Sequence, residues 1–368
     1  MIGPDGTDTT TGVEVLQFDD SFMLGFGITP IILTNYTFPN GNPLFGRSVA
    51  DNLTMGTNAN GRLINLGGDI DTLTLGLAGQ TYSLNLVNVE NLVGASGNET
   101  VNFTAAASNL SVDMSFGADT VNLSSFNDVI TVRNVETVTD TGGTDTVTFV
   151  HDDAFANQSF NLGVGQGDTL ILAGSNSNFS LTIGGDMTVV GATVSGNEDV
   201  NLLNVQGGST FDLGAGIDAL HLFNNGVNVN VVTVENVETV DAVGFDSDQI
   251  TIAGNTGGIT TVTAAGGADL MWASPDEDHF RYISIGDSPD VAGLRDTVTG
   301  FDAAEDVFVF EGNQFAGTLT WELTTFGGQQ IVRVDFNGDV VGDIGWDAAI
   351  EVDGLVGTLT NDNFLHIA

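Results

Sequence analysis

The chain has no cysteine, so neither a disulfide framework nor a thiolate metal centre can form. Lysine is missing as well, and six arginines face 48 acidic residues, a formal charge of −42. Such a surface repels nucleic acid and anionic membrane, and it attracts divalent cations, because crowded carboxylates repel one another until counterions or bound metal compensate. Histidine is scarce. His151, His221, His279 and His366 are scattered, and no His-Glu-x-x-His zinc motif occurs. Gly-x-Ser-x-Gly and phosphate-loop patterns are missing too, so the sequence predicts a protein that is not an enzyme. Paired carboxylates such as Asp152-Asp153 and Asp276-Glu277-Asp278 keep a polysaccharide-acting enzyme as a lesser alternative. No apolar run approaches the length of a membrane-spanning helix, which argues against membrane insertion. Proline is absent between residues 44 and 274, as continuous strand ladders require.

What the chain does contain is repetition. A glycine-rich turn, an aspartate and an apolar strand recur at Gly68–Leu75, Gly117–Leu123, Gly167–Leu172, Gly216–Leu222 and Gly267–Met271. Aligned on Asp71, Asp119, Asp168, Asp218 and Asp269, the copies lie 48, 49, 50 and 51 residues apart. A second phrase, Asn-Val-Glu, appears at 88–90, 134–136 and 236–238, and further acidic strand starts stand at Glu99, Asp145 and Asp248. Short alternating runs of Val, Ile, Leu, Thr and Phe are bounded by Gly, Asn, Asp and Ser, while helical periodicity is weak. A fixed period of this size marks units that bury their apolar faces on one another. The predicted class is all-β: a parallel β-solenoid or β-roll-like array with two coils per 50-residue repeat and a C-terminal β domain. A string of small β-sandwich modules is the competing geometry. The expected divisions are a cap or docking segment over 1–50, the repeat region over 51–274 and a C-terminal domain over 275–368.

Aspartates at glycine-flanked turns suit calcium, which takes six to eight oxygen ligands. Asp69, Asp71, Asp119, Asp168, Asp218 and Asp269 are therefore candidate ligands, and the alternative is that these carboxylates cap backbone N–H groups. Farther on, Asp335, Asn337, Asp339 and Asp343 have the spacing of an oxygen-ligand loop, with Val340 and Trp346 where an EF-hand has glycine and glutamate.

The central phrase is similar to the nonapeptide of the repeats-in-toxin (RTX) family, most closely at Leu213–His221. It departs from that family in that the good copies are not in tandem. Residues 294–310, 334–343, 350–355 and 359–365 look like the C-terminal domain of serralysin-type proteins exported by type I secretion, the chain ending Phe364-Leu-His-Ile-Ala368. The resemblance implies bound Ca²⁺, an uncleaved C-terminal export signal read by the type I secretion machinery, and an extracellular or cell-surface location. Together with the repeats it predicts a secreted, calcium-binding structural protein that self-associates as a subunit of a surface layer, matrix or filament. An adhesin or module that binds cell-surface glycan is the alternative.

Overall fold

The computed structural model describes residues 42–151, 158–163, 167–174, 179–191, 196–203, 208–223, 229–244, 247–256, 258–315, 317–336 and 346–367, with the backbone of short strands before residue 34. The chain forms two compact units, Met1–Gly174 and Ser175–Ala368. Each is a parallel β-solenoid.

In the first unit every coil gives one strand to each of two sheets. One sheet runs from Leu44–Arg47 through Arg62–Gly67, Thr81–Val87, Thr100–Phe103, Thr120–Asn122 and Thr137–Thr139 to Gln158–Asn161, all in parallel. The other runs from Asn52–Met55 through Thr72–Leu75, Asn91–Val93, Ser108–Asp113, Val129–Arg133 and Thr146–His151 to Asp168–Gly174. Period-two alternation fixes which side chains point inward. In register, Tyr82, Val101, Val121, Val138 and Phe160 form one buried column, and Leu53, Leu73, Leu92, Val112, Val132, Phe149 and Leu172 form the other. Each such side chain contributes about 1.5–3 kcal/mol by leaving water. Because like stacks on like at every step, no coil is stable without its neighbours.

The coil is shorter than the 50-residue period suggests. Thr120 pairs with Thr137 and Thr146 with Thr169, so a coil takes 17 to 23 residues. Between Asp71 and Asp119 the chain completes two and a half coils, not two. The phrase consequently alternates between sheets: Asp71 opens Thr72–Leu75 in one, and Asp119 opens Thr120–Asn122 in the other.

The second unit follows the same plan. One sheet passes from Phe179–Gly184 through Glu198–Leu203, Ala219–Phe223, Thr239–Val243, Thr260–Ala264, Asp278–Tyr282 and Val307–Glu311 to Phe364–Ile367. The ladder thus continues through residue 275. The opposite sheet ends differently: Thr297–Thr299 pairs with Ala348–Asp353, and an antiparallel hairpin of Thr320–Phe326 and Gln329–Asp335 extends it. Aromatic rings fill this end. Phe301 stacks on Phe308 at 4.4 Å, and Trp321 stacks on Phe364 at 4.7 Å. No helix among the described residues is long and apolar enough to cross a membrane.

Candidate functional site: columns of buried carboxyls

The repeating acids stand at, or immediately before, the first residue of a strand, where the chain turns a corner of the coil. There the backbone N–H of one coil points along the solenoid axis toward the next. In the first unit, Asp51 N–H donates to Asp71 Oδ1 at 2.7 Å, and Asp71 N–H donates to Glu90 Oε2 at 2.8 Å. On the other sheet, Glu99 N–H donates to Asp119 Oδ1 at 2.7 Å and Asp119 N–H to Glu136 Oε2 at 2.6 Å. Further along, Asp128 N–H donates to Asp145 Oδ1 and Asp145 N–H to Asp168 Oδ1, at 2.7 and 2.9 Å. The second unit repeats this with Glu198, Asp218 and Glu238, and with Asp248, Asp269 and Asp296. Each carboxyl therefore satisfies a backbone donor of the preceding coil that the strand ladder leaves over.

The two sequence phrases lock together here. Asp71, Asp119 and Asp218, from the glycine-rich phrase, donate their N–H groups to Glu90, Glu136 and Glu238, from the Asn-Val-Glu phrase one coil later. Each Asn of that second phrase takes a left-handed turn, with φ of 49° at Asn88 and 51° at Asn134 and Asn236. Val89, Val135 and Val237 bury their side chains. A short polar residue tolerates that conformation better than other non-glycine residues. The glycine two positions before the aspartate has a separate cause. A Cβ on Gly117 would lie 1.7 Å from the Gly97 carbonyl oxygen, and one on Gly216 would lie 1.8 Å from that of Gly196. Close approach between coils, rather than positive φ, requires glycine at those two positions.

Burial makes these columns electrostatically costly. Asp71, Asp119, Asp168 and Asp218 are at most 1 % exposed, and Asp71 Oδ2, Asp119 Oδ2, Asp168 Oδ2 and Glu136 Oε1 have no hydrogen-bond partner. Desolvation, with like charges stacked one coil away, favours the neutral form. Burial, then the charge of Asp51, Glu90 and Asp69, pushes Asp71 up to about 6. Burial, with the charges of Glu99 and Glu136, raises Asp119 to about 7, and burial, with Asp140, Asp128 and Asp168 nearby, does the same for Asp145. Glu198, buried against Asp218, rises to about 8. Asp168 and Asp218 are raised chiefly by burial.

The candidate calcium ligands are thus distributed rather than gathered. Asp71, Asp119, Asp168, Asp218 and Asp269 sit singly at strand starts on alternate sheets, each with Oδ1 committed to a backbone N–H. Asp69 is exposed on the turn beside them at φ 83°. Asp335 ends the hairpin strand Gln329–Asp335, while Asn337, Asp339 and Asp343 lie outside the described residues. Among the described residues no three His, Asp or Glu side chains converge to hold a metal ion. The columns also include acids that the calcium reading left out, among them Asp51, Glu90, Glu136, Asp145 and Glu198. Glu90 and Glu136 belong to the Asn-Val-Glu phrase and Asp145 to the acidic strand starts, whereas Asp51 and Glu198 carry neither signal. Uncharged residues serve at equivalent places: Ser209 Oγ accepts from Met187 N–H, and Asn230 takes the place of an aspartate beneath Asp248.

A separate feature is a polar groove of about 340 Å³ in the second unit, lined by Thr297, Gln329, Gln330, Glu351 and Asp353 beside the Gly327-Gly328 turn.

No known protein family matches the chain, and neither does any curated protein. Among solved structures it is similar to the AlgE6R3 subunit of the Azotobacter vinelandii mannuronan C5-epimerase. The identity is 18 %, over 45 % of this chain and 76 % of that one, with a TM-score of 0.20. Similarity at that level is too slight to carry an argument about activity.

Proposed function

We propose that the chain is a secreted, calcium-binding structural protein, a self-associating subunit of a surface layer, matrix or filament, exported by the type I route and without catalytic activity. One observation carries this reading: the residues that repeat are those that hold one coil to the next. Both phrases supply corner carboxyls and buried apolar side chains, and the glycine-rich phrase adds the close-packed glycines, so the repeated chemistry is structural. The calcium part rests on the charge of −42, with six arginines against 48 acidic residues, and on the acidic spacing of 335–343. Calcium scarce inside a cell and plentiful outside would couple folding to export.

Light scattering and electron microscopy of purified protein, with chelator and then with millimolar calcium, test the reading. Ordered assemblies that form with calcium and dissolve with chelator support it, and a chain that stays monomeric in both overturns it. The glycan-binding alternative is favoured by the groove at Thr297, Gln329, Gln330, Glu351 and Asp353, whose amides and carboxylates suit hydroxyl groups. Retention on immobilised polysaccharide, lost in Gln330→Ala, would support that alternative instead.

A further inference from the structure

On the outer face of the second unit an imidazole lies between two carboxylates on three successive strands. His221 is in Ala219–Phe223, paired in register with Asn201 on one side and Asp241 on the other. Its Nε2 is 3.4 Å from Asp199 Oδ1, and its Nδ1 is 3.2 Å from Asp241 Oδ2. The His221 side chain is 26 % exposed, so protons and buffer reach it while its neighbours restrict its rotation. The Phe223 ring, 6.3 Å away, flanks it on the same strand.

The two ring nitrogens dictate the consequence. An imidazolium donates from both nitrogens, and a neutral imidazole donates from one and presents a lone pair at the other. With a carboxylate against each nitrogen, only the protonated ring satisfies both contacts. The neutral ring faces one carboxylate lone pair to lone pair, in a chain already crowded with negative charge. The other charged groups near this row are accounted for. Arg281, two strands beyond Asp241, donates to Glu311 at 2.7 Å and to Thr263 at 3.3 Å. Glu198, Asp218 and Glu238 stand at the starts of the same three strands, bonded along their own column. Among the described residues, Asp199 and Asp241 are the charged groups that meet the ring.

We propose that Asp199, His221 and Asp241 form a proton-dependent clamp across three coils, closed when the imidazole carries two protons and released when it loses one. The clamp ties three successive coils from outside, where the buried columns tie them from within.

Histidine-selective ¹⁵N labelling of the full chain, followed by NMR of the ring nitrogens from pH 5 to pH 8.5, is the first test. The clamp requires two protonated nitrogens on His221 in acid and loss of one of them as the pH rises; a single protonated nitrogen at every pH overturns it. The second test is urea unfolding of wild type, His221→Gln and Asp199→Asn/Asp241→Asn at both ends of that range. Exposed ion pairs of this kind change an equilibrium constant by about two- to tenfold for two contacts together. In acid both variants should show that loss, and in alkali both should match wild type within error. Equal losses at both pH values would mean packing rather than a proton, and would also overturn the clamp. If His221→Gln fails to fold, the carboxylate variant, which leaves the ring in place, gives the same comparison.

Discussion

Substituting Asp119 by asparagine and by alanine separates the two things its carboxyl does. Oδ1 accepts the Glu99 N–H at 2.7 Å, and Oδ2 is buried without a partner. Alanine removes the acceptor and leaves that N–H unsatisfied inside the corner, at a cost of about 1–3 kcal/mol at any pH. Asparagine keeps the acceptor and removes the charge. An asparagine already serves in such a column at Asn230, whose N–H and Nδ2 both donate to Asp248 Oδ1 at 3.0 and 3.1 Å. Burial, with the charges of Glu99 and Glu136, lifts the Asp119 carboxyl from an ordinary 3.8 to about 7. Between those values the folded chain keeps a proton that the unfolded chain has released, so stability falls as the pH rises through the window. The contribution is whole below about 4 and gone above about 7. The largest loss that shift allows is about 4 kcal/mol, and about 2 kcal/mol is the expected size once water near the coil corner is taken into account. Urea unfolding in chelator at pH 4.5 and pH 8 is the assay. Asp119→Asn should equal or exceed wild type at pH 8 and fall within about 1 kcal/mol of it at pH 4.5, while Asp119→Ala is weaker at both. If asparagine were as damaging as alanine at pH 8, the negative charge itself would be needed, and the column would have to be rethought as a cation site.

Other consequences follow from the same geometry. In chelator the urea midpoint of the whole chain should drop between pH 5 and pH 8, because Asp71, Asp145 and Glu198 are raised to about 6, 7 and 8, chiefly by burial. Millimolar calcium should recover part of that loss at pH 8, and a flat or rising midpoint would contradict the assignment. Gly117→Ala would drive a Cβ into the Gly97 carbonyl and should cost about 3 kcal/mol or more in thermal or urea unfolding. Gly68→Ala, where a Cβ meets nothing within 4 Å, should cost less than about 1 kcal/mol. Phe364→Ala empties the stack between Phe308 and Trp321, and should cost about 3–5 kcal/mol with a matching change in tryptophan fluorescence.

Much of the solenoid is legible in the sequence. Alternation such as Thr-Val-Thr-Phe-Val at 146–150 gave strand and face together, and the absence of proline from 44 to 274 marked uninterrupted ladders. The coil length was not legible, because the most visible repeat skips half a coil. Asp71 and Asp119 look equivalent in sequence yet open strands in different sheets, and only strand pairing reveals the step of 17 to 23 residues. The acids are visible in the sequence but their company is not. A carboxylate beside a glycine turn has the same local signature whether it meets a cation or a backbone N–H, and the partner that decides, Glu99 for Asp119 or Asp145 for Asp168, lies one coil away. The sandwich of His221 between Asp199 and Asp241 is likewise invisible in sequence, since it depends on register across three strands.

The central claim is that the repeating acids form buried columns that hold protons near neutrality while they tie coil to coil. Side-chain ¹³C carboxyl NMR of aspartate and glutamate, recorded from pH 3 to pH 9 on metal-free protein, addresses it directly. The columns predict a distinct set of carboxyls, Asp119 and Asp145 near 7 and Glu198 near 8, titrating well above the ordinary range. Complete ionisation of every carboxyl below pH 5, with the fold intact, would contradict it.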